Sequence, residues 1–216
     1  ALLARHGEEL FAVLLEPMQG SGGCLPGNLD FLQMVRSETK ARGITMIFDE
    51  VMTSRLSPGG LQAKHGVIPD MTTLGKYIGG GMSFGAFGGK REIMELFDPT
   101  KPDSLPHAGT FNNNALTMAA GVAGYGEVYT AEAAKELNDR GDRIRERLNA
   151  ICRKAGVAFQ FSGIGSMMTA HATARPGSPG TLLPMAIVSS QSGSGPSRRR
   201  GGPAGEPAGP EAVRRQ

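Results

Sequence analysis

The sequence has no tryptophan, only three tyrosines and only two cysteines in 216 residues. Cys24 and Cys152 lie far apart, with no CxxC and no histidine at ligand spacing. That argues against a disulfide framework or a zinc site, and two reduced, mostly packed thiols are expected. No apolar run approaches the ~20 residues of a membrane span, so no membrane partner is expected. Net charge is also small in the body of the chain. From Ala174 onward six arginines face Glu206 and Glu211, a balance of +4 that leaves residues 1–173 at −1 within the formal net charge of +3. The basic balance belongs to the tail, and the body gives no electrostatic reason for a nucleic-acid partner. Arg198–Arg200 is a short run without interleaved aromatics, which is a poor nucleic-acid platform.

Glycine is what the sequence has in excess: 32 residues, about twice the usual share of ~7%. The excess sits in Gly79–Gly89 and in the stretch after Arg175. The opening Ala1-Leu2-Leu3-Ala4-Arg5 has neither an initiator methionine nor a signal-peptide layout, so the chain is expected to start partway into a larger protein.

Residues 1–10 have helical character. Phe11–Leu15 and Ile44–Phe48 are short continuous apolar runs of the kind buried parallel strands show. Between them Asn28 or Asp30 can cap a helix through Leu32, Val35 and Arg36 to a stop at Gly43. Strand, helix and strand at this length form a crossover unit. It places Glu16 and Asp49 at the carboxyl ends of neighbouring strands, where open α/β sheets put their ligands. Met71–Leu74 and Phe84–Phe87 are further strand candidates, with Lys76 between them. A small-residue helix is expected from Ala115 to about Tyr129. Thr130 then caps an amphipathic helix with apolar positions Leu137, Ile144, Leu148 and Ile151, ended by Gly156. Val157–His171 reads as a β segment interrupted at Gly163 and Gly165. The expected domains are therefore 1–129, a larger α/β domain; 130–173, the start of a smaller α+β domain; and 174–216, a disordered Gly/Pro/Arg-rich tail in which only Leu182–Val188 is apolar.

The familiar phosphate motifs fail one by one. Gly20-Ser-Gly22 needs a glycine at Leu25, Gly79-Gly-Gly81 needs one at Phe84, and a Walker-type Gly89-Lys90 is followed by Arg91. What remains is Asp49 with Lys76, 27 residues further on. A carboxylate at a buried strand end is costly unless a cation neutralises it. A protonated pyridine nitrogen is such a cation, and a lysine can form an imine with an aldehyde and then shuttle a proton. Gly75 and Gly79–Gly81 let the backbone pass close to a ligand. Thr110, with a hydroxyl and an N–H ahead of a helix, suits a phosphate. By spacing alone these residues also read as a structural carboxylate, a solvated lysine and turn glycines.

Four strings occur in order: Glu16-Pro-Met-Gln-Gly20, Phe48-Asp-Glu-Val-Met-Thr53, Asp70-Met-Thr-Thr-Leu-Gly-Lys76-Tyr-Ile-Gly-Gly-Gly81 and Gly109-Thr-Phe-Asn-Asn-Asn114. Together they resemble the class III aminotransferases of pyridoxal-phosphate (PLP) fold type I, closest to the glutamate-1-semialdehyde aminomutase group. Thr53-Ser-Arg-Leu56 and Met82–Gly89 look most like the β-phenylalanine type of transaminase. The resemblance runs from about Glu9 to Ala172. It implies a three-layer α/β large domain, present in part, and PLP as cofactor. It also implies Lys76 as the Schiff-base lysine, Asp49 as the pyridine-nitrogen partner and Val51 packed on the ring face. Thr110 would bind the phosphate of the PLP held by the other subunit of a homodimer with shared sites. Glu16 lies on the site side in the family, with a role that varies.

A small-molecule amino donor, a 2-oxo acid acceptor and no metal follow from the same resemblance. The expected compartment is the cytoplasm, with the mitochondrion left open. His65 and His107 read as structural or solvated, since a lysine is already available. Arg55 reads either as a surface arginine or as a fork for a substrate carboxylate. The family also has a phosphate-holding Gly-Ser/Thr loop and a ring-stacking aromatic upstream, and most of a small domain downstream. This chain is thus expected to bind PLP weakly and to turn over slowly or not at all. An aminomutase and a non-catalytic fragment that pairs with an intact homologue stay open beside the transaminase.

Overall fold

The computed structural model describes residues 2–172 and 186–189. In chain order come helix α1 (Leu2–His6), strand β1 (Leu10–Leu15) and the short strands β2 (Met18–Gln19) and β3 (Leu25–Pro26). Then follow α2 (Leu29–Ala41), β4 (Thr45–Asp49), α3 (Gly60–His65), β5 (Met71–Gly75) and β6 (Gly85–Gly89). Helices α4 (Arg91–Met94), α5 (Ala115–Ala123) and α6 (Ala131–Ala155), the hairpin β7 (Gln160–Ile164) with β8 (Met167–His171), and β9 (Ala186–Ser189) complete the list.

The sheet has the order β6-β5-β4-β1-β9, with β1, β4 and β5 parallel and the two outer strands antiparallel. Val13 pairs with Met46 and Leu15 with Phe48, so the two apolar runs lie side by side. Between them α2 starts where Asn28 accepts the Phe31 N–H at 3.1 Å. It buries Leu32, Val35 and Thr39, one helical stripe, onto the strands. Leu32 and Val35 join Leu3, Leu10, Ile44 and Val67 in one core. Each fully buried side chain of the size of Phe48 or Met46 contributes about 1.5–3 kcal/mol.

Asp70, just before β5, pins the amino ends of the strands. Its carboxylate accepts from Arg36 Nη1 at 2.8 Å and from the Met46 N–H at 2.7 Å, and Lys90 Nζ lies 2.7 Å away. Burial works to raise the Asp70 pKa, but the hydrogen bonds from Lys90, the Met46 amide and Arg36 outweigh it, and the net shift is downward.

The expected helix 115–129 is divided. Residues Gly124–Val128 after α5 wind as a π-helical turn, closed by the Tyr129 N–H on the Gly124 carbonyl at 2.8 Å. The packing supplies a reason. Gly124 rests on Gly80, and Gly121 on the Ile78 carbonyl, so the helix backbone follows the turn after β5 rather than an ideal spiral.

Thr130 caps α6 as expected, accepting the Ala133 N–H at 3.2 Å, and Gly156 ends it at φ +65°. The buried face differs from the expected one. Leu137, Ile144 and Ile151 are 41%, 45% and 61% exposed, whereas Ala134, Asn138 and Gly141 are buried. Polar groups dock this helix. Asn138 accepts the Ser166 N–H at 2.8 Å, Asp142 accepts the Gly165 N–H at 2.7 Å, and Asn149 exchanges two hydrogen bonds with the Phe161 backbone. Those partners belong to the β7–β8 hairpin, which the glycine interruptions turn around at Gly165.

Within the expected tail, Ala186–Ser189 form a strand that pairs antiparallel with β1. An open strand edge offers unpaired N–H and C=O groups to such a partner. The rest of the expected tail lies outside the described residues. Both cysteines are free. Among the described residues no helix is long and apolar enough to cross a membrane, and no His/Cys/Asp/Glu cluster could hold a metal.

Candidate active site at the carboxyl edge of the sheet

Each parallel strand delivers a charged residue to the same edge. Glu16 follows β1, Asp49 closes β4 and Lys76 follows β5. Asp49 stands opposite Thr73, and the next N–H, of Glu50, donates to the Thr73 carbonyl at 3.1 Å. Lys76 is three residues past Thr73, about 10 Å of extended chain.

Lys76 is an exposed lysine at φ +54°. A non-glycine residue in this left-handed region costs on the order of 1–3 kcal/mol and persists only where the surroundings impose it. Here they do. The turn Lys76–Gly79 and the Gly80 that closes it lie between Phe84, just ahead of β6, and α5: a Cβ at Gly79 would meet Phe84 and one at Gly80 would collide with the Ala120 carbonyl. Gly75, just before the lysine, leaves room for Val51, whose Cγ1 would lie 3.4 Å from a Cβ at that position. Val51 in turn donates its N–H to Asp49 Oδ1 at 3.0 Å. Among the described residues no other hydrogen bond to the Asp49 carboxylate accompanies it.

Asp49, Val51 and Lys76 thus come together at one edge. Glu16 is there too, but its Oε2 accepts the Gly20 N–H at 2.8 Å and closes its own turn. Thr110 sits exposed beside Phe111, in the turn ahead of α5, where Asn114 caps the helix by accepting the Leu116 and Thr117 N–H groups. No hydrogen bond joins Thr110 to the other three among the described residues.

His65 and His107 take structural places. Burial, and secondarily the charge of Lys64, lowers the His65 pKa, which keeps it neutral at pH 7. His107 packs edge-on against Phe87 at 5.1 Å. Arg55 is half-buried rather than a free surface arginine: its guanidinium lies 5.2 Å above the Tyr77 ring, and its carbonyl accepts from Tyr129 Oη and Asn138 Nδ2. Burial raises the Tyr77 pKa, so this neighbour of Lys76 stays a neutral phenol.

Sequence reasoning passed over Glu50. Its side chain is fully buried between Asp49 and Val51. Oε2 accepts from the Thr53 hydroxyl at 3.0 Å and the Leu61 N–H at 2.6 Å, and Oε1 accepts from the Gln62 N–H at 2.8 Å. Burial nonetheless holds its pKa above the ordinary 4.5, against the pull of those three donors. The available signal was Gly60, where a Cβ would meet the carboxylate at the first turn of α3.

This donor set fits a PLP ring. Asp49 offers a carboxylate to a ring N–H, Val51 an apolar face, and Lys76 an exposed amine. Residues 1–183 match the family described as aminotransferase class-III. The β-phenylalanine transaminase of Variovorax paradoxus is 58% identical over 171 residues, which is 79% of this chain and 39% of that protein. Its crystal structure superposes with a TM-score of 0.77. A glutamate-1-semialdehyde 2,1-aminomutase of Sulfurihydrogenibium azorense is 40% identical over 170 residues, 78% of this chain and 39% of that protein. A solved transaminase with PLP bound is 32% identical over 81% of this chain and 41% of its own, with a TM-score of 0.75. The chain therefore spans about two-fifths of the length of the relatives it matches. The fold is that of the PLP-dependent transaminases, and the chain belongs to the class III aminotransferases.

Proposed function

We propose that this chain supplies the lysine-bearing part of a PLP-dependent transaminase site that moves an amino group between an amino acid, of the β-amino type, and a 2-oxo acid. One observation carries the reading: an exposed lysine at φ +54° shares a sheet edge with the Asp49 carboxylate, whose one hydrogen bond among the described residues goes to Oδ1. When bound, PLP supplies an electron sink that stabilises negative charge on the substrate carbon. Lys76 would hold the cofactor covalently and, once displaced by the substrate amine, carry the proton to and from the substrate carbon. Asp49 would keep the ring nitrogen protonated, and Val51 would exclude water from one ring face. Thr110 would bind the phosphate of a cofactor held by a second subunit, which makes the working form a homodimer. In the same reading residues 1–129 belong to the cofactor domain and residues 130–173 begin a second one.

The β-amino donor is favoured over amino-aldehyde isomerisation by the relatives, 58% against 40% identity. The test supplies PLP with either β-phenylalanine and a 2-oxo acid or an amino aldehyde alone, to the chain by itself and to the chain mixed with the intact Variovorax transaminase carrying a disabled lysine. Amino-acid product that requires both the 2-oxo acid and Lys76 supports the reading. Turnover of an amino aldehyde without any 2-oxo acid supports the isomerase. No Lys76-dependent product in either arm contradicts both.

A further inference from the structure

We infer that Glu50 is a positioning residue for the cofactor edge: its buried carboxylate, clamped by the start of α3, fixes the turn that aims Asp49 and Val51. The inference rests on the cofactor reading above and adds a residue to it.

Glu50 lies between the two residues proposed to meet the ring, and every polar group it owns is engaged in holding the turn. Its N–H donates to Thr73 of the neighbouring strand, which sets the end of β4 against β5. Its carbonyl accepts the Ser54 N–H at 3.0 Å. Its two carboxylate oxygens accept three donors, two of them backbone N–H groups of the first turn of α3, where a negative charge is also favoured by the orphan amides. The helix is itself shaped to receive this group. Gly60 has φ +74°, and a Cβ there would lie 2.7 Å from both carboxylate oxygens, so glycine leaves the space that the carboxylate fills.

With three backbone and side-chain donors fixed around Glu50, the peptide on either side cannot rotate independently. The Val51 N–H therefore points at Asp49 Oδ1 and fixes the carboxylate on that side. Without the clamp the 50–54 turn is free to swing, and Asp49 loses its aim while the β4–β5 pairing survives.

The test uses Glu50→Gln, which keeps the shape but turns one acceptor oxygen into a donor facing an N–H. PLP is titrated into the chain, and the Lys76-dependent absorbance band of the bound cofactor is followed. The control is Asp70→Asn, which loosens the opposite, amino end of β5. For equal losses of melting temperature, Glu50→Gln is expected to weaken PLP binding about tenfold, the scale of one charge-assisted hydrogen bond. It is also expected to alter the ratio of the bound cofactor's absorbance bands, whereas Asp70→Asn changes neither. If Glu50→Gln does not fold, Thr53→Val, which deletes only the hydroxyl donor, is expected to shift both readouts in the same direction by a smaller factor. Equal effects of Glu50→Gln and Asp70→Asn, or PLP binding and bands unchanged in every folded variant at the 50–53 turn, overturn the inference. A wild-type chain with no Lys76-dependent band overturns the cofactor reading itself, and this inference with it.

Discussion

Asp49 closes β4 directly opposite Thr73 of β5, and the chain turns left-handed at Lys76 three residues beyond that pair. A slip of one residue between the strands would move Asp49 to the other face of the sheet. The spacing of carboxylate and lysine is thus set by backbone pairing, and the elements that hold this register and this turn are where substitutions should be felt.

The amino end of β5, remote from that edge, is held by Asp70, which serves the stability of the fold and not the aim of Asp49. The Asp70 pKa is held below the ordinary 3.8, so the charged form stabilises the fold. That contribution is fully present above pH about 4 and is lost as pH falls through the lower, folded value. Asp70→Asn is expected to lower stability at pH 7 by about 1–3 kcal/mol, since Arg36 and Lys90 lose their anion. It should also flatten the acid limb of stability against pH. Thermal melts of both forms from pH 7 to pH 3 check this; parallel curves would count against the assignment.

At the lysine turn the holder is glycine. Gly80→Ala combines φ +61° with a collision against the Ala120 carbonyl. A loss of about 1–3 kcal/mol is expected, with faster hydrogen exchange across residues 76–81 and across α5. An unchanged melt and exchange pattern would mean that the helix does not clamp this turn.

On α6 the polar face outranks the apolar one. Asn138→Ala strips donors and acceptors from Arg55 and Ser166 and is expected to cost about 1–3 kcal/mol. Ile151→Lys, at a position 61% exposed, is expected to stay within about 0.5 kcal/mol. Denaturant unfolding of the two variants decides it, and the reverse order would restore the apolar stripe as the docking face.

That helix also shows where sequence reading stops. The runs Phe11–Leu15 and Ile44–Phe48, the Asn28 and Thr130 caps and the Gly156 stop were legible because each is a local property of a few residues. The face of α6 was not, because Asn138 and Gly141 count as polar or small in any hydropathy pattern and become buried only through hydrogen bonds to a distant hairpin. The same holds for Ala186–Ser189, whose strand depends on an open edge more than 170 residues earlier in the chain. At the site, Asp49, Val51 and Lys76 share an edge because parallel strands end together. Glu50 stayed hidden because its partners at Leu61 and Gln62 come from a helix that no spacing rule attaches to it.

The central claim is that Lys76 is the lysine that holds the cofactor, and covalent mapping tests it most directly. The chain is incubated with PLP, reduced with borohydride, digested, and the modified peptide located by mass spectrometry. The account expects one dominant site, Lys76, with the label lost in Lys76→Ala. Label spread over other exposed lysines such as Lys64, Lys90 and Lys101 in proportion to their exposure, or unchanged in Lys76→Ala, would contradict it.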